Sequence, residues 1–381
     1  MTNIRALTQS LAVLSLAGLV AAAPAARAGS AATAAHSAKS PAAAPASTSS
    51  WRVRTVLRER PADRIASQVV GARAAADYAL VSATTSLVTG PYRLRRTDLA
   101  TGSVRRGPEF PVSGLSLAAG YLWVSGSVPP LGASVALVLY QVNPRTLAVV
   151  RSWRLTPRRR PGFGMVEIAA GQARTVWVGF RRTVLHIDTG TGATTGRVSL
   201  HRGLFFSDVA ASPSRRRLYV SAGGIRSGGG DVFEYAARSR RLIASTGRKP
   251  LPSVAGAQLT AVPGGVWASF RTGMLGQTVL LSRTGLTRVR LSGGVYTWSM
   301  TATTVYGGGA LWLVNGNNVI GCIAPGTGVV RHQRTFAGLG NSGELLAVNA
   351  VLHVIYALGS HGVIAITPPR NCWGDEPAGA R

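Results

Sequence analysis

A short pattern of an apolar residue, an aromatic, an apolar and a small residue returns along this chain at roughly 42- to 54-residue intervals. The clear copies are Leu122-Trp123-Val124-Ser125, Val176-Trp177-Val178-Gly179, Leu218-Tyr219-Val220-Ser221, Val266-Trp267-Ala268-Ser269 and Leu311-Trp312-Leu313-Val314. Degenerate copies flank them at Ala79-Leu80-Val81-Ser82 and at Tyr356. A second pattern follows the first in several units. Asp98 to Gly102, Asn143 to Leu147, Asp188 to Gly192 and Pro325 to Gly328 each sit between two apolar runs. Asx side chains bond their own backbone and Gly accepts positive φ, so each of these reads as a hairpin turn.

Each unit is therefore a set of short strands with regular turns and no convincing helix. A period of about 45 residues with that content is what a four-stranded propeller blade requires. Seven anchors predict an all-β, seven-bladed β-propeller of four-stranded antiparallel blades over residues 51–373. After Val363 to Thr367 no further strand follows, because Pro368-Pro369 interrupts the chain. Trp51, Val53, Thr55 and Leu57 alternate before the first unit begins. That segment is expected to be the outer strand of the last blade, closing the ring and removing a free edge. Cys322 falls in unit six and Cys372 just past unit seven; in an oxidising compartment they would bridge, and two buried free thiols are the alternative.

The first 28 residues have the layout of a secretory signal. Arg5 supplies the positive start, Leu11 to Val20 the apolar stretch, and Ala26-Arg27-Ala28 the small residues before cleavage. Residues 29–50 are almost entirely Ala, Ser, Thr and Pro, which cannot bury enough surface to order. They are expected to form a disordered linker, and residues 374–381 a short tail. No later segment is apolar for long enough to span a bilayer, so a secreted or cell-surface, monomeric protein is expected.

Charge narrows the partners. The chain carries 42 Lys and Arg against 13 Asp and Glu, a net charge of +29, and only Lys39 and Lys249 are lysines. Loss of the signal removes Arg5 and Arg27. A coding bias explains arginine over lysine but not the scarcity of acids. Affinity for an anionic surface polymer or an acidic protein is therefore expected, and a specific nucleic-acid role fits poorly with export. Two Cys exclude a Cys-ligated cluster.

The residues also carry resemblances. Asp208-Val-Ala-Ala-Ser-Pro213 with Arg217-Leu-Tyr-Val-Ser221 resembles the YVTN propeller repeat. Gly264-Gly-Val-Trp267 resembles streptogramin-lyase and NHL-type repeats, and the Asp98 and Asp188 turns resemble the PQQ-type quinoprotein repeat. These resemblances imply a propeller that hosts either a binding surface, a lyase or hydrolase, or a quinone-dependent dehydrogenase. The Trp that usually follows the PQQ-type turn is missing after Gly102 and Gly192.

The first strand of each blade lines the central channel. Aligning the starts of those strands gives a polar column: Gln68, Ser116, Glu167, Asp208, Gln258, Ser299 and Glu344. Glu167 and Asp208 fall in adjacent blades and, with Gln258, offer oxygen ligands for Ca²⁺ or Mg²⁺. Paired carboxylates also serve proton transfer, and a wet polar channel needs neither. Around the mouth the sequence places Arg158, Arg159, Arg160 and Phe163, then His201, Arg202, Phe205 and Phe206, then Tyr296 and Trp298. Arg forks bind carboxylate or phosphate, and aromatic faces bind rings. The favoured expectation is non-catalytic binding of an anionic ligand at this mouth. The alternative is a cation-assisted lyase or hydrolase using Glu167 and Asp208.

Overall fold

A computed structural model describes residues 51–59, 65–71, 75–82, 91–128, 136–156, 166–224, 229–247, 251, 256–272, 275–289, 296–298, 303–314, 318–337 and 339–374. The proposed signal, linker and tail lie outside these residues apart from Gly374, as do Arg158 to Arg160, Phe163 and Ser299. The strands form seven separate four-stranded antiparallel sheets. Six are built from consecutive strands. Blade one, for example, runs Ile65–Gly71, Ala76–Ser82, Tyr92–Asp98 and Val104–Phe110. The seventh takes Leu339–Asn349, Val354–Gly359 and Gly362–Thr367, and adds Arg52–Arg58 as its outer strand. Arg52 pairs with Thr367 and Arg58 with Gly362, so the two chain ends close the ring in one sheet.

Burial explains the sequence pattern. The second strand of each blade is packed on both faces, so apolar residues dominate it: Ala310–Val314 is buried at every position. Trp123, Trp177, Trp267 and Trp312 are among the largest fully buried side chains. Their indole N–H groups find acceptors where the bonds are resolved: Trp123 donates to Ala118 O at 3.0 Å, Trp312 to Gly307 O at 2.9 Å. Trp267 reaches Pro325 O in the next blade at 2.9 Å. The recurring aromatics are thus core, each worth ~3–5 kcal/mol on truncation to Ala. Outer strands face solvent, and Arg52–Arg58 is exposed over most of its length.

The turns behave as the residues dictate. Asp98 Oδ1 accepts the Ala100 and Thr101 N–H groups at 3.0 and 2.9 Å. Asp188 Oδ1 accepts those of Gly190 and Thr191 at 2.9 and 2.7 Å. Gly102 and Gly192 close these turns at φ of 72° and 79°, where a Cβ would be strained.

Cys322, on the third strand of blade six, is bonded to Cys372 beyond the last strand. The chain-entropy view assigns a bridge over about 50 residues ~4 kcal/mol. Trp373 packs beside Trp312 at 4.9 Å, and Arg334 of blade six donates to Trp51 O at 3.1 Å. The ring seam is therefore held by a sheet, a disulfide and an aromatic contact together.

Two expected placements are corrected. Tyr296 and Trp298 belong to Tyr296–Trp298, the outer strand of blade five, which pairs with Gly276 to Thr278. They do not lie in a loop entering the channel. The first strand of blade six is Thr303–Gly307, so the channel position is held by a residue after Ser299.

Candidate functional site

The channel site grows out of one register position. In each blade the innermost strand pairs with the aromatic second strand. The residue opposite the second position after the aromatic is Ser67, Gly114, Glu167, Asp208, Gln258, Thr303 and Glu344 around the ring. Four of the seven expected column residues share this row. Gln68 falls one step off it, opposite Ala79, and strand alternation turns its side chain to the other face. Its side chain is buried, and Nε2 donates to Asp77 Oδ1 at 2.7 Å. Ser116 falls two steps off and pairs with Trp123 itself, leaving Gly114 in the row.

Glu167 and Asp208 stand on neighbouring innermost strands, Val166–Ala170 of blade three and Phe205–Ala211 of blade four. Each side chain keeps partial solvent access, yet protein packs densely enough around both carboxyls to penalise charge. Burial, and then the Asp208 charge, push Glu167 up to about 8. Burial raises Asp208 to about 7, against the pull of two backbone donors. Those donors are specific: Val209 N–H meets Oδ1 at 2.7 Å, and Leu259 N–H from blade five meets Oδ2 at 2.6 Å. Among the described residues no hydrogen bond reaches the Glu167 carboxyl. The donors favour charge on Asp208, so Glu167 is the partner that retains the proton near neutrality. The pair holds a carboxylate and a carboxylic acid side by side, the arrangement proton transfer requires.

Asp208 also ties blades together. The segment entering blade five crosses blade four at Gly256, where a Cβ would lie 2.7 Å from Ser207 Cβ. Ala257 N–H donates to Ser221 Oγ at 2.7 Å, beside the Leu259 bond to Asp208.

Of the mouth residues, His201 and Arg202 are exposed in the loop before this strand, and Phe205 is 58% exposed at its start. Phe206 differs. It is buried against Trp177 and Leu218, and a Cβ on Gly179 would lie 2.0 Å from its ring. So one Phe of the pair faces solvent and the other locks blade four onto blade three. Gly179 pairs with Glu167, which makes it part of the site's architecture; nothing in the sequence marks it beyond its place after Trp177. Gln258 is exposed, and Glu344 is placed only by its pairing with Leu358. Among the described residues no group of three His, Cys, Asp or Glu converges on one point.

No known family and no curated protein matches the chain in sequence. Solved structures do match in shape. One is BamB from Moraxella catarrhalis, at 16% identity and a TM-score of 0.52, over 80% of this chain and 85% of that one. Another is a chain of the mitotic checkpoint complex, at 13% identity and a TM-score of 0.54, over 90% and 98%. The likeness is one of fold. It is a seven-bladed propeller, and 1257 solved chains match it, so the scaffold does not by itself select a function. Among the described residues no helix is long and apolar enough to cross a membrane.

Proposed function

We propose that this protein is an exported, non-catalytic propeller that binds an anionic surface polymer or acidic protein at its channel mouth. The observation behind this reading is where the acids go. Asp77 and Glu234 are fully buried, Glu167 and Asp208 sit in the channel, and Asp98 and Asp188 are taken up by turn N–H groups. Exposed Glu109 is paired with Arg93. The surface is therefore more cationic than the count of 13 acids suggests. His201, Arg202 and Phe205 are free of the core at the channel end, where a guanidinium and a ring can meet a polymer. The Cys322–Cys372 bridge fits an oxidising compartment.

Polyglutamate and polyphosphate are the probes. Both are expected to bind, with affinity falling about tenfold on combining Arg202→Gln with Phe205→Ala. Neutralising Arg105 and Arg106 on an outer strand should change it far less. An equal loss from the outer strand would show a general charge effect and sink the mouth as the site.

The acid pair favours a second reading, a lyase or hydrolase assisted by Ca²⁺ or Mg²⁺ at Glu167 and Asp208. A divalent ion would draw both carboxyls into their charged form. A rise in melting temperature with either ion over EDTA, abolished by Glu167→Gln, would support it; no rise would leave the pair as channel lining.

A further inference from the structure

A second cavity opens at the other end of the blade three and blade four interface, beyond the hairpins that join their first two strands. It has a volume of about 200 Å³ and is lined by Gln172, Trp177, His186, Thr195, Arg238 and Arg240. This is smaller than a drug-sized pocket, which typically spans ~300–1,000 Å³, so its ligand must be small. Each lining group has a traceable reason to be there. His186 lies across the hairpin from Trp177 and stacks on it at 4.1 Å between ring centroids. Thr195 Oγ1 meets His186 Nδ1 at 2.7 Å, which fixes the ring. Among the described residues nothing bonds His186 Nε2. Burial, and then the neighbouring Arg240, hold this imidazole below its usual range, so it is neutral at pH 7 and able to donate from one nitrogen.

The arginines come from a turn that departs from its counterparts. In blades one, two and three the turn between the third and outer strands opens with Asp98, Asn143 and Asp188. In blade four the same turn opens with Ala236, bonded to Arg240 N–H at 2.7 Å. Arg240 occupies the place of Gly102, Leu147 and Gly192, at φ of 58°. It thus carries the left-handed strain that glycine avoids. Its guanidinium crosses to blade three and donates to Thr195 O at 2.8 Å. Gly196 makes the crossing possible, since a Cβ there would lie 2.2 Å from Arg240 Nη1. Arg238 is exposed, and the turn has no carboxylate of its own to neutralise either guanidinium. Asp188, the acid whose charge acts on His186, is already bonded to Gly190 and Thr191 N–H.

We infer that this cavity binds a small organic carboxylate, its charge on Arg238 and Arg240 and its apolar body against the His186 ring, which buried Trp177 backs. Arg forks match carboxylate geometry, and the outer face of the neutral His186 ring, held flat on Trp177, supplies a flat wall. The site is separate from the channel mouth, so it stands whether or not a polymer binds there.

Benzoate is the test probe, with benzamide as its neutral counterpart and inorganic phosphate as an anion without an apolar body. Calorimetry should show benzoate binding at least tenfold tighter than either. Arg240→Gly keeps the turn, because glycine accepts that φ, and should weaken benzoate at least tenfold. Arg238→Gln should weaken it less, and Arg105→Gln on the outer strand of blade one not at all. Benzamide binding as well as benzoate would remove the arginines from the proposal. Phosphate binding equally well would remove the ring wall. No benzoate binding at millimolar concentration, or the same loss from Arg105→Gln, would overturn the site. A Glu167→Gln variant, which disturbs only the channel, should bind benzoate as the parent does; a loss there would also count against it.

Discussion

The interface between blades three and four has two ends of opposite character. At the channel end, Glu167 and Asp208 sit side by side, and among the described residues no arginine pairs with either. At the rim end, Arg238 and Arg240 meet a neutral His186 in a turn without an acid. Between them lies apolar packing: Phe206 of blade four against Gly179 and Trp177 of blade three. A chain with so few acids could have paired its carboxylates with arginine everywhere. It does so at Arg217 and Glu234, 3.6 Å apart, but not in the channel. Unpaired like charges raise the cost of ionising, so the channel end stores protons while the rim end stores positive charge.

The largest expected effect comes from driving the two ends apart. Gly179→Leu would push a side chain into the Phe206 ring and cost ~3 kcal/mol, read as a fall in chemical-denaturation midpoint. It should disturb binding at both ends, because the shared packing between them is lost. Next is Asp208→Asn. The amide can replace one acceptor but turns its NH₂ towards a backbone N–H of Val209 or Leu259, at a cost of ~1–3 kcal/mol. The rim should keep its benzoate affinity.

The pH dependence sharpens the contrast. Glu167 is raised in the folded state from its ordinary 4.5 to about 8, so between those values the folded protein binds more protons than the unfolded one. Its contribution therefore erodes stability as pH rises from about 4.5 through about 8, and is harmless below that window. Asp208 acts in the same direction, and so does Asp77 in blade one, which burial lifts to about 7. Melting temperature should fall by a few degrees between pH 5 and pH 8, and Glu167→Gln should flatten part of that slope. An unchanged slope in the variant would mean that Glu167 is ionised throughout. The smallest effect belongs to Gly196→Ala. It displaces the flexible end of Arg240 and costs about one hydrogen bond, ~1 kcal/mol, with a measurable loss of benzoate binding.

Much of this architecture was readable in the sequence because its signals are local. The Trp and Tyr period marks the second strands, Asp98, Asn143 and Asp188 mark turns through their own side-chain bonds, and the alternation from Trp51 marks the closing strand. The channel row was readable where counting from the aromatic survives. It survives for Glu167, Asp208 and Gln258. It fails at Gln68, which lies one residue past Ser67 so that strand alternation turns its side chain onto Asp77, and at Ser116, which lies two residues past Gly114. Tyr296 and Trp298 misled because aromatic residues before a small one look alike on an outer strand and in a loop. The rim cavity left no local trace. Gln172, His186, Thr195 and Arg240 come from two blades, and a glycine-to-arginine exchange in one turn is visible only once the turns are superposed.

The most direct measurement is a salt series for polyphosphate and polyglutamate binding to the protein, with the Arg202→Gln, Phe205→Ala variant beside it. Cationic recognition through several guanidiniums predicts that log affinity falls linearly with log salt, and that the variant lowers both the affinity and the slope. Affinity that is flat with salt, or a variant indistinguishable from the parent, would contradict an anionic partner at the channel mouth.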